Sequence, residues 1–102
     1  MLISTINNIN ELYPEESKEL SRLYFEKSAK EGILTYLINN SLMDSKEYQR
    51  IWLEYLDSCI KYENYNMIYF ETVVQNFIPE NYKNKKLIWS LDYVKGELNF
   101  YD

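Results

Sequence analysis

The sequence predicts a mainly α protein, a small bundle of about four to six helices forming one domain over residues 1–102. Three observations carry that expectation. Apolar residues recur at spacings of three and four along much of the chain. The only glycines, Gly32 and Gly96, and the only prolines, Pro14 and Pro79, fall where helices would start or stop. A chain of 102 residues can also bury a core without metal or disulfide staples. The main alternative is an α+β fold with a C-terminal β-hairpin.

Taken in order, Ser4 is a candidate cap for a short first helix in which Ile6, Ile9 and Tyr13 share a face. Pro14 suits the first position of a second helix, with Glu15 and Glu16 in the first turn where carboxylates favour the positive end of the dipole. That helix should bury Leu20, Leu23, Tyr24 and the stem of Lys27, and end at Gly32. Residues 33–38 are too short and too evenly apolar to classify by period, and are assigned to helix. Asp44 followed by Glu47 resembles a capping box. The helix it opens should carry Tyr48, Ile51, Trp52, Tyr55, Leu56 and Cys59 on an apolar stripe opposite Lys46, Arg50, Glu54 and Asp57.

The polar stretch Tyr62-Glu63-Asn64-Tyr65-Asn66 then reads as a linker. Phe70, Val73, Val74 and Phe77 have helical spacing and lead to a stop at Pro79. Leu87, Ile88, Leu91 and Val94 suggest a last helix closed by Gly96. The same segment also reads as two strands around Val94-Lys95-Gly96.

Composition excludes several kinds of chemistry. There is no histidine, so serine–histidine, cysteine–histidine and zinc-protease sites fail together. One cysteine, Cys59, cannot form an internal disulfide, and its place on the apolar stripe suits a small packed side chain better than a reactive thiol. Two glycines this far apart cannot build a nucleotide-binding loop. Glu15 with Glu16 and Glu19, or Glu54 with Asp57, are carboxylates at helical spacing, which solvated helix faces commonly carry; no metal site, cofactor or catalytic residue is expected. No apolar run approaches a membrane span, and the first positive side chain, Lys18, comes too late for a secretory signal, so the expected location is the cytoplasm.

What remains points to protein recognition. The formal charge of −5 opposes direct nucleic-acid binding by the Lys83, Lys85, Lys86 group beside Tyr82 and Trp89, and favours a basic partner. Glu11, Glu15, Glu16 and Glu19 concentrate negative charge with only Lys18 among them, whereas Glu47, Glu54 and Asp57 are interleaved with Lys46 and Arg50 at pairing distance. Tyr62, Glu63 and Tyr65 combine aromatic anchors with a carboxylate, as protein interfaces do. Tyrosine, isoleucine, asparagine and lysine dominate over glycine, alanine and arginine. That bias goes with AT-rich genes such as horizontally moved bacterial ones.

The expected function is therefore that of a small bacterial immunity protein or antitoxin, a non-enzymatic inhibitor that covers the basic substrate-binding surface of a cognate toxin, a nuclease above all. Glu11, Glu15, Glu16, Glu19, Tyr62, Glu63 and Tyr65 are its candidate contacts. The alternatives are a phage or mobile-element DNA mimic directed at a host enzyme, and a helical module that associates with itself. The expected state is a monomer or weak homodimer.

Overall fold

A computed structural model describes residues 1–102. In chain order they form strand β1 (Leu2–Ile6), the single turn α1 (Ile9–Leu12), two long helices α2 (Pro14–Asn39) and α3 (Lys46–Thr72), two short 3-10 turns (Val74–Phe77 and Glu80–Tyr82), and strands β2 (Ile88–Asp92) and β3 (Glu97–Tyr101). The fold is thus mainly helical with a small antiparallel sheet. It has three helices instead of four to six, and the α+β alternative is the one that fits. The chain divides into two compact units, one comprising Met1–Glu19 and Met67–Asp102, the other Leu20–Asn66.

In the first unit, β3 is the central strand, paired antiparallel with β1 on one side and β2 on the other. Its alternation explains that place: Leu98 and Phe100 are fully covered while their neighbours are half-buried. Ile6 and Leu91 flank Leu98 in register, and Ser4 and Trp89 flank Phe100. Trp89 stacks on Tyr69 of α3, ring centres 5.9 Å apart, and Ile9, Val73 and Val74 complete the buried set. The Tyr69 hydroxyl lies 3.1 Å from Ser17 Oγ, so two buried polar groups satisfy each other. On the other face of the sheet, Thr5 Oγ1 donates to Asn99 Oδ1 at 2.7 Å.

Two sequence expectations change here. Residues 2–6 form a strand where a capped helix was expected, because Ile3, Thr5 and Ile6 are β-branched and find a partner in β3 from the far end of the chain. A register shift between Leu2 and Ser4 leaves a bulge at Ile3. The expected last helix is the β2–β3 hairpin. At its tip Asp92 Oδ1 accepts from the amides of Val94 and Lys95, Gly96 N donates to Asp92 O at 2.8 Å, and Gly96 takes φ +67°. Val94, assigned to an apolar helix face, is 90% exposed at that tip.

The second unit is a helical hairpin. Leu20, Leu23, Lys27, Lys30, Leu34 and Leu37 follow a 3–4 repeat on α2, and Tyr48, Ile51, Tyr55, Ser58, Tyr62 and Tyr65 follow the same repeat on α3. All twelve are buried or half-buried. Contacts across this seam run antiparallel. Tyr24 packs edge-on against Tyr62 at 5.8 Å, Lys27 Nζ sits 4.9 Å above the same ring, and Lys30 Nζ donates to Glu54 at 3.0 Å. Ser58 is satisfied within its own helix, donating to Glu54 O.

Continuity of the seam accounts for the remaining corrections. Helix α2 does not stop at Gly32 but runs through it to Asn39, because Leu34 and Leu37 extend the buried repeat by two more turns. It ends in a Schellman turn, with Leu42 N donating to Leu37 O, Ser41 N to Ile38 O, and Ser41 at φ +58° where glycine is usual. The cap of α3 is Ser45, whose Oγ accepts from Tyr48 N at 3.1 Å, and not Asp44. The supposed linker at 62–66 is uninterrupted helix, since Tyr62 and Tyr65 keep the seam register. Trp52 and Leu56, placed on the packed stripe, are instead 43% and 41% exposed.

Candidate partner-binding surfaces

Glu11 lies on α1, and Glu15, Glu16 and Glu19 occupy the opening turns of α2, all in the first unit. Pro14 sets this geometry by starting α2 directly after α1, so that acids contributed by two helices fall close in the chain. Glu11 and Glu15 are exposed, while Glu16 and Glu19 are half-covered. Glu11, Glu15 and Glu16 make no ion pair, and Lys18, which follows them, makes none either.

Several other acids are paired within the chain. Arg50 bridges Glu47 and Glu54, Lys61 pairs with Asp57 at 3.0 Å, Arg22 with Glu26, and Lys83 with Glu80. The hydrogen bond from Lys30 is the main reason that the Glu54 carboxyl titrates below its ordinary range. Asp57 in turn raises the Lys61 ammonium above its own. The expected self-neutralisation of Glu47, Glu54 and Asp57 is therefore present, with Lys61 taking the role given to Lys46.

The tyrosines lie otherwise than a linker would put them. Tyr62 packs edge-on against Tyr24 with Lys27 over its ring, and Tyr65, at the next position of the same repeat, is half-buried. Glu63, between them in sequence, is exposed and without an ion pair. Cys59 is half-buried beside Tyr55, and its hydrogen bond is the leading cause of a raised Tyr55 phenol. In the basic segment, Lys85 sits over the Tyr82 ring at 5.6 Å. No group of three or more cysteine or acidic side chains is placed to hold a metal ion, and no helix is long and apolar enough to cross a membrane.

Sequence reasoning passed over one surface. Leu53, Leu56 and Ile60 form an exposed apolar row on the face of α3 away from the seam. Their spacing was available in the sequence, but Trp52, Tyr55 and Cys59 interleave with them, and the merged stripe hid two separate faces.

No family model, curated protein or solved structure matches this chain.

Proposed function

We propose that the protein is a small acidic inhibitor, a bacterial immunity protein or antitoxin acting in the cytoplasm, that captures a basic toxin, above all a nuclease. The observation that supports this reading is the group Glu11, Glu15 and Glu16, three carboxylates with no ion pair that fall within six residues on the adjoining helices α1 and α2. A nuclease must present lysine or arginine to phosphate. Uncompensated carboxylates on a rigid helix start can occupy those groups and exclude the substrate.

The energetics divide in a defined way. Long-range attraction between the acidic group and the basic site raises the association rate and makes it fall with salt. Release is governed by close contacts made after encounter. Lys18 is then the one side chain of the group that opposes capture. Tyr62 and Tyr65 serve this function mainly by stiffening the hairpin, with only their exposed edges left for contact. No catalytic step is required of the inhibitor.

The test is growth of a bacterial host that expresses the reading frame adjacent to this gene, alone and together with this protein. Arrest alone and rescue on co-expression is the expected result. A harmless neighbour, or toxicity that co-expression does not relieve, counts against the proposal.

A further inference from the structure

The outward face of α3 carries a second heptad. Lys46, Gln49, Leu53, Leu56, Ile60 and Glu63 succeed one another at spacings of three and four, and all six are exposed. Leu53 and Ile60 reach 66% and 58%. One helix therefore has two such repeats: an inner one that packs on α2, and an outer one with three aliphatic side chains at its centre and nothing covering them.

We propose that this outer face binds a second copy of the same chain, α3 against α3, antiparallel about a two-fold axis passing between Leu53 and Leu56. The order of side chains selects that arrangement. In an antiparallel helix pair each first-position residue of the heptad faces a fourth-position residue of the other helix. Leu53 then meets Leu56 of the second copy, Gln49 meets Ile60, and Lys46 meets Glu63. Neither Lys46 nor Glu63 has an ion pair within its own chain. The two-fold brings these opposite charges together at both ends of the apolar centre. A parallel pairing would instead set lysine on lysine and glutamate on glutamate.

The flanks agree with the same register. Arg50 comes opposite Asp57 of the second copy on one side, and Trp52, 43% exposed, comes opposite Cys59 on the other. The second unit also has nearly balanced charges, so a like copy is not repelled there, whereas most of the net negative charge of the chain lies in the first unit. The surface is thus self-complementary in shape of sequence and in charge, which is what an isologous contact requires and what a basic partner would not need. This inference does not rest on the inhibitor reading.

Sedimentation equilibrium from micromolar to millimolar protein tests it. The wild type should shift from monomer to dimer as concentration rises. Lys46→Glu and Glu63→Lys should each weaken the dimer by about tenfold, since each replaces two attractive pairs by two repulsive ones. The double charge swap should return the affinity to within about threefold of wild type. Leu53→Asp should abolish the dimer while leaving the helical circular dichroism unchanged. A wild-type monomer at every concentration, a dimer indifferent to Leu53→Asp, or a charge swap as weak as its single variants would overturn the proposal. The charge variants alter only exposed side chains, so they remain informative if Leu53→Asp misfolds.

Discussion

Alanine at the two glycines should shift stability in opposite directions. Gly32 lies inside α2 and is exposed, and a Cβ built there meets nothing within 4 Å. The substitution then changes only the backbone entropy of a helical position, which stabilises by roughly 0.5–1 kcal/mol. For a domain of this size that corresponds to a rise in melting temperature of about 2–8 °C. Gly96 has φ +67°, and its added Cβ would lie 2.6 Å from Asn10 Nδ2 and 3.0 Å from Asn10 Cγ. Asn10 is exposed and can swing aside, so the left-handed backbone dominates, and Gly96→Ala should destabilise by about 1–2 kcal/mol. Urea denaturation followed by circular dichroism measures both, provided the slope of each transition matches the wild type. A loss of stability in Gly32→Ala would refute the continuous helix and place a terminus at residue 32.

Tyr69→Phe should cost about 1–2 kcal/mol, because it leaves the buried Ser17 hydroxyl without its partner. Adding Ser17→Ala to that variant should recover part of the loss, and denaturation of the four proteins of the cycle measures the coupling. Ser41→Gly should stabilise by up to about 1 kcal/mol by relieving the positive φ at the end of α2, read as a shift in urea midpoint. The lowered titration of Glu54 gives stability that is complete above the unfolded glutamate range and fades as pH falls through the folded value. Glu54→Gln should therefore be less stable than wild type at neutral pH, with the difference closing in acid. A difference that grew on acidification would show that the Lys30 pair does not set that titration.

Much of the helical content was readable because it follows local rules. Pro14 opens α2 as a first-position proline should, and Leu20 and Leu23 are buried as their spacing implies. The errors share two physical causes. The first is non-local pairing: Leu2–Ile6 becomes a strand only because Glu97–Tyr101 lies beside it, and no window of neighbouring residues contains that information. The second is that polarity was used as a proxy for exposure. Tyr62 and Tyr65 lie in the seam, where tyrosine rings pack beside lysine stems such as that of Lys27, whose burial was expected, so a packed helix face looked like a linker. At the candidate surface, the acidic group and the self-pairing of Glu47, Glu54 and Asp57 could be read from spacing alone. The engagement of Tyr62 by Tyr24 could not, because it depends on where the hairpin turns.

The claim that the unpaired carboxylates are the inhibitory surface is tested most directly by a rescue assay. A host arrested by the toxin of the adjacent reading frame is given either wild-type protein or the triple variant Glu11→Gln, Glu15→Gln, Glu16→Gln, at matched expression and with the variant's fold checked by circular dichroism. The account predicts rescue by the wild type, failure or marked weakening of rescue by the variant, and, for the purified pair, an association rate lower by about tenfold or more with a flatter salt dependence. Equal rescue by a folded variant, with an unchanged association rate, would contradict it.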